Sequence, residues 1–203
     1  MATTTLGAEE VRNLHMSSQA EVARSKLAQR TNAKHNQPLV LGKVWDALQT
    51  WLPIAGASDD CGLVTRTFGT NAPRIETGDL KNTTTTRYFR MLIPLPSDYE
   101  ATETVTVRLT AGAITTVAST SLTLDVEAYR HVGDGTIGSD LCATSLQSIN
   151  SLTFADKDFI ITATTLLPGD ILDCRFTMVV TDVATGTEVN GGVATVALLA
   201  DCR

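Results

Sequence analysis

The sequence predicts an all-β protein: an antiparallel two-sheet sandwich, of the jelly-roll kind, carrying an N-terminal helical arm. Three observations lead there. From Leu172 to Val180 every second residue is apolar (Leu172, Cys174, Phe176, Met178, Val180), while Asp173, Arg175 and Thr177 between them are polar, which is the period of a half-buried strand. The same alternation recurs upstream at regular intervals, punctuated by turn residues. The composition agrees: aromatic residues are 5% and charged residues 19% of the chain, and Thr, Ala and Val recur throughout, a mixture suited to pleated sheets with a Thr-covered solvent face.

The chain is 203 residues long, enough to bury roughly 70% of its unfolded surface in one core without a disulfide or metal. The division expected is an arm over residues 1–55, with one or two helices, and a sandwich over 56–203. The first 38 residues carry Arg12, Arg24, Lys26, Arg30 and Lys34 against Glu9, Glu10 and Glu21. Arm and body therefore have opposite net charge. Val11, Leu14, Ser18, Val22 and Ser25 follow a helical stripe, but few are large and apolar. Such an arm is either a partly ordered helical tail or a segment that orders on a partner. The net charge of −6 argues against a nucleic-acid binder, which needs a basic face to displace counterions from phosphates. MATTTLGAEEVRNL contains no apolar signal core and no stretch approaches 18 apolar residues, so synthesis in the cytoplasm is expected, with any export by assembly or lysis.

A second helix is expected over Gly42 to Leu52. Val44, Trp45, Leu48, Trp51 and Leu52 form a compact apolar face at helical spacing, ended by Pro53. Both tryptophans of the chain lie here. The face either packs on its own domain or meets a neighbouring subunit, because Trp anchors are over-represented in interface hot spots. The candidate partner-binding residues are accordingly Trp45, Leu48 and Trp51, with Arg24 and Arg30 from the basic arm.

Leu63 to Phe68 reads as a short strand and Gly69 to Thr86 as a polar connection; Asn82-Thr83-Thr84 within it marks an exposed loop. Strands then follow at Arg87–Leu95 (Phe89, Met91, Ile93 and Leu95 inward), Thr104–Ala113 (Val105, Val107, Leu109) and Thr120–Arg130 (Leu122, Leu124, Val126, Ala128). Cys142 to Phe154 is ambiguous, with Leu146, Ile149 and Leu152 at helical spacing. Phe159, Ile161 and Ala163 begin a further strand, which meets the Leu172 strand at the corner Leu167-Pro168-Gly169-Asp170, where Pro presets φ and Gly can take φ > 0. Thr185-Gly186 and Asn190-Gly191-Gly192 read as turns. Val193 to Asp201 is apolar almost throughout, as a central strand would be. The long connections before Arg87 and between Val132 and Asp156 fit jelly-roll crossings better than a meander.

Motifs for catalysis are missing from the sequence: it has no G-x-S-x-G, H-E-x-x-H, P-loop or dinucleotide fingerprint. No cofactor, metal site or enzymatic activity is expected. His15 and His35 lie in the arm and His131 at a strand end. Cys61, Cys142, Cys174 and Cys202 are widely spaced and read as buried free thiols rather than a metal or disulfide framework. Asp134, Asp140, Asp156, Asp158 and Asp170 fall in or beside loops; solvation is the expected role, with Ca²⁺ binding or a glycosidase pair the alternatives if they gather.

The run from about Leu92 to the C-terminus, about half the chain, carries IPLPSDYE, SLTLDVEAYR, GSDLCATSLQSINS, LLPGDILDCRFTMVV and a closing VALLADCR. In the order of these elements it resembles the jelly-roll structural proteins of tailed bacteriophages, of the capsid decoration or cement type. The resemblance implies a virion location on the capsid surface and a homo-oligomer, a trimer or another small ring, seated on the major capsid protein, with no membrane and no direct nucleic-acid partner. Residues 1–52 and the long loops would make the contacts. The alternative is a receptor- or carbohydrate-binding head of a phage fibre or tail. Sugar platforms need exposed aromatics, and the strand region offers Tyr88, Tyr99 and Tyr129, of which only Tyr99 lies near a turn.

Overall fold

Alternating sequences bury one face only when a second sheet covers them, and the chain meets that requirement by folding back on itself. The computed structural model describes residues 34–38, 44–45, 60–64, 69–70, 72–132, 134 and 136–202. Among the described residues the regular elements are all strands: Lys34–Pro38 (β1), Val44–Trp45 (β2), Gly62–Val64 (β3), Arg74–Glu76 (β4), Thr83–Pro94 (β5), Val105–Ala113 (β6), Ser121–His131 (β7), Gln147–Ser148 (β8), Ala155–Ile161 (β9), Ile171–Asp182 (β10) and Gly191–Asp201 (β11). One sheet has the order β3-β4-β11-β6-β9, with β1 also on β11; the other has the order β2-β5-β10-β7-β8.

The pairing is nested. β4 pairs with β11, β5 with β10, β6 with β9 and β7 with β8, all antiparallel. This is one long hairpin with its tip between β7 and β8, rolled so that β4 to β7 alternate between the sheets on the way out and β8 to β11 on the way back. That topology is a jelly roll, as the sequence predicts. The corner at Leu167–Asp170 is the place where the chain changes sheets, from β9 to β10, rather than a hairpin within one sheet. Gly169 there has φ +79°, and the Asp170 amide donates to the Leu167 carbonyl at 3.1 Å, the closure a type II turn makes around a Pro-Gly pair.

The inward residues are those the alternation names. Leu172, Cys174, Phe176, Met178 and Val180 of β10 are wholly buried, and so are Phe89 and Ile93 of β5 and Leu122 and Leu124 of β7. Phe89 and Phe176 sit directly opposite across the β5–β10 ladder, stacked with centroids 4.5 Å apart and planes 10° apart. From the other sheet Val107, Leu109, Phe159 and Leu198 complete the core. β11 is central, as its apolar run requires: β6 covers one edge, while β4 and β1 share the other.

Several expectations are corrected. Val44 and Trp45, placed by their spacing in a helix, are a strand paired with Met91 and Arg90. The β-branched and aromatic pair suits a strand, and β5 offers it backbone partners on the edge away from β10. Lys34–Pro38, assigned to the arm, is a strand on β11. Leu48, Trp51, Arg24 and Arg30, and the helices expected around them, lie outside the described residues. Asn190-Gly191-Gly192 is no turn but the start of β11. A Cβ on Gly192 would lie 2.6 Å from Ile114 Cδ1, so glycine serves close packing there.

The ambiguous segment after Cys142 is an extended strap along the open flank of the sandwich. The Leu141 amide donates to the Ala128 carbonyl of one sheet at 2.8 Å, and the Ala143 amide to the Ile160 carbonyl of the other at 2.8 Å. Of its three apolar residues only Ile149 is buried; Leu146 and Leu152 are exposed. The strap satisfies edge groups of both sheets that would otherwise template pairing with another chain. All four cysteines are free, with Cys61 and Cys174 buried and the others partly so. Burial raises the Cys142 thiol to about 11, and pushes Cys61 and Cys174 higher still.

Candidate functional site

Because β10 sends its even-numbered residues into the core, Asp173, Arg175 and Thr177 face outward from the centre of the second sheet. Register then fixes their neighbours. Asp173 lies between Leu92 and Tyr129, Arg175 between Arg90 and Glu127, and Thr177 between Tyr88 and Asp125. Two arginines directly opposite would repel, and the face resolves this with two ion pairs. Arg90 turns along the sheet to Asp173, its Nε donating to Oδ1 at 2.6 Å and its Nη2 to Oδ2. Arg175 turns the other way to Glu127, its Nε donating to Oε2 at 2.5 Å. The first is a bidentate fork that fixes orientation as well as charge; in the second both Arg175 nitrogens meet the one oxygen Oε2.

Aromatic rings flank the second pair. The Arg175 guanidinium lies over the Tyr88 ring, 5.6 Å from its centroid, within cation–π range. The Tyr129 hydroxyl donates to Glu127 Oε1 at 3.2 Å. The first pair is shielded, with the Asp173 side chain 7% exposed, whereas Arg175 is 46% exposed. Arg175 is therefore the accessible centre of the face, with Glu127, Tyr88 and Tyr129 half-buried around it.

Burial, with help from Glu127 and Asp140, holds the Asp125 carboxyl above the ordinary carboxylate range. A carboxyl whose pKa rises on folding penalises the folded state at every pH where it must be charged, and the penalty disappears below its unfolded pKa. Asp125→Asn is thus expected to raise Tm at pH 7, with the gain shrinking to nothing by about pH 3; thermal melts at both pH values check this. Burial, then Glu127, likewise raises the Tyr129 hydroxyl.

Of the residues singled out from the sequence, Trp45 lies in β2 opposite Arg90, while Leu48, Trp51, Arg24 and Arg30 fall outside the described residues. Tyr99 is removed as a platform aromatic: it is buried, its hydroxyl donating to the Glu103 carbonyl at 2.7 Å. The loop aspartates do not gather. Asp156 and Asp158 flank Arg108, Asp170 pairs with Arg130 at 2.8 Å, Asp140 accepts from the Ala128 and Cys142 amides, and Asp134 caps its own turn through Thr136. Among the described residues no group of three His, Cys, Asp or Glu side chains could hold a metal ion.

A second surface feature is set by the loops. Among the described residues, most of the large apolar side chains left exposed lie at the two ends of the sandwich. Val132, Ile137 and Leu167 are 51%, 58% and 51% exposed at the end where β7 stops and β10 starts. Val117, Leu152 and Val183 are 42%, 59% and 68% exposed at the other. Two hydrogen bonds tie that end together: the Val183 amide donates to Ser119 Oγ at 2.9 Å and the Ala118 amide to Asn150 Oδ1 at 2.7 Å.

No protein-family model matches the chain, and no curated protein matches it. Among solved structures it is similar to the CBM22-1 xylan-binding domain of Paenibacillus barcinonensis Xyn10C, at 9% identity, covering 83% of this chain and 94% of that one with a TM-score of 0.41. It is also similar to a carbohydrate-binding module of the β-sandwich superfamily, at 9% identity, 81% and 56% coverage and a TM-score of 0.36. A third similarity is to the VP2 subviral particle of infectious bursal disease virus, at 13% identity, 60% and 34% coverage and a TM-score of 0.26. The chain spans about half the length of the second of these and about a third of the last.

Proposed function

We propose that the protein is a virion structural protein that decorates a phage capsid and stabilises it by bridging major capsid subunits. The observation that carries the reading is the placement of exposed apolar side chains at the ends of a sandwich whose flank is sealed. Large apolar groups gathered at one end of a body are a surface that a partner can cover, and the strap keeps the β7–β9 flank from pairing with copies of itself through its sheets. A capsid under outward pressure is held by any clamp that adds interface free energy across subunits. Each specific contact needs only about 1,200–2,000 Å², and repetition over many identical sites adds avidity. The arm supplies the basic half of the interface and the end loops the apolar half. The protomers act as a small ring, a trimer in the simplest case.

The test is co-sedimentation of the purified protein with empty shells of a tailed-phage major capsid protein. Truncation should stop at residue 33, because Lys34–Pro38 backs β11 and its loss would uncover a core strand. The expected result is pelleting of the full chain, at least tenfold weaker for the chain lacking residues 1–33, with light scattering giving a multiple of 21.6 kDa. A monomer that stays in the supernatant contradicts the reading.

A further inference from the structure

We propose that the outward face of the β5–β10–β7 sheet binds a neutral glycan, with Tyr129 as ring platform and the Arg175–Glu127 pair, stacked on Tyr88, as the hydroxyl-reading centre. This goes beyond capsid attachment and does not depend on it. Two of the three tyrosines in the chain are here, at opposite corners of one patch. They are two strand spacings apart across the sheet and four residues apart along it, roughly 16 Å corner to corner at standard strand dimensions. That diagonal accommodates several sugar residues of an extended chain.

The chemistry of the face selects the ligand class. Arg175 offers donors and Glu127 acceptors side by side, and a sugar hydroxyl both donates and accepts. Each arginine is already neutralised by a carboxylate, with Asp125 adding a further acid, so the patch has no positive charge to spare for a polyanion. An apolar protein surface would strip water from the exposed Arg175–Glu127 pair, a desolvation that mutual attraction does not reliably repay. A neutral polyhydroxyl ligand avoids both costs. It meets the exposed Arg175–Glu127 pair with its own hydroxyls and lays its C–H face on the electron-rich Tyr129 ring.

The experiment is affinity electrophoresis of the full-length protein in native gels cast with hydroxyethyl cellulose, galactomannan or arabinoxylan, and with alginate as the anionic comparison. Retardation is expected in at least one neutral gel, with none in alginate. Tyr129→Ala and Arg175→Gln should each weaken the retardation at least tenfold while Tm stays within a few degrees of the parent. Tyr129→Phe, which keeps the ring, should retain most of it and covers the case in which the alanine variant fails to fold. Shell pelleting by these variants should be unchanged, which separates failure of this inference from failure of the attachment reading. Absence of retardation in every neutral gel, retardation only in alginate, or retardation that survives both Tyr129→Ala and Arg175→Gln would overturn it.

Discussion

Phe176→Ala is expected to cost about 3–5 kcal/mol of stability, the range for removing a fully buried aromatic from a packed core. Phe176 is wholly buried and stacks on Phe89 at 4.5 Å, so alanine removes a directly opposed cross-strand partner as well as the apolar area. It would leave a void at the middle of the β5–β10 ladder, which anchors the second sheet. For a body of this size the loss corresponds to a fall in Tm of roughly 10 °C. Thr177→Ala, one residue on and facing solvent, is the comparison and should change stability by less than about 0.5 kcal/mol. Thermal unfolding followed by circular dichroism reads both. Equal effects at the two positions would mean that the inward and outward rows of β10 are misassigned.

The second large effect is expected at Asp173. Its carboxylate is buried on the outward face and clamps Arg90, which stands directly across the ladder from Arg175. Asp173→Ala leaves a largely shielded guanidinium without its counter-charge and facing a second arginine, at a cost of about 3 kcal/mol. Removing both charges is a different perturbation. The double variant Arg90→Met with Asp173→Leu should recover most of the loss, because no charge is then left to desolvate and the replacement side chains are of similar bulk. Chemical denaturation of the two variants distinguishes these outcomes; a double variant no better than Asp173→Ala would show that the pair contributes more than charge compensation.

The long strands were legible in the sequence because β5, β7 and β10 repeat their alternation four or five times and β6 three, while β11 stands out as an apolar run. β5, β6, β7, β10 and β11 all bury the rows that their patterns name. Of the short ones only β3 was, its Leu63 and Val64 opening the strand read from Leu63. β2 and β8 have two residues each and β4 three, too few for a period, and they lie on the edges of longer neighbours. Val44 and Trp45 show how a helical spacing can be overruled: Leu48 and Trp51 completed the apparent stripe, but the two residues themselves are strand formers placed beside β5. Leu146, Ile149 and Leu152 gave a similar false period, in a strap that needs only one apolar anchor.

The candidate face was half legible. Alternation marked Tyr88, Arg90, Asp125, Glu127, Asp173 and Arg175 as outward-facing, since each is the neighbour of a core residue. What sequence pattern does not carry is that β10 lies between β5 and β7, and only this order sets Arg175 beside Glu127 and beneath the reach of Tyr88. The cue lay in composition: arginines and acids interspersed with tyrosine on strands whose other outward positions are mostly threonine.

Hydrogen–deuterium exchange of the full-length protein, alone and bound to capsid shells, addresses the attachment reading most directly. Slowed exchange on binding is predicted in residues 1–33 and in the loops of one end of the sandwich, either 132–140 with 163–170 or 114–119 with 149–154 and 183–190, while β5, β7 and β10 exchange as in the free protein. Protection spread across the outward face of those three strands, with the end loops unchanged, would contradict it.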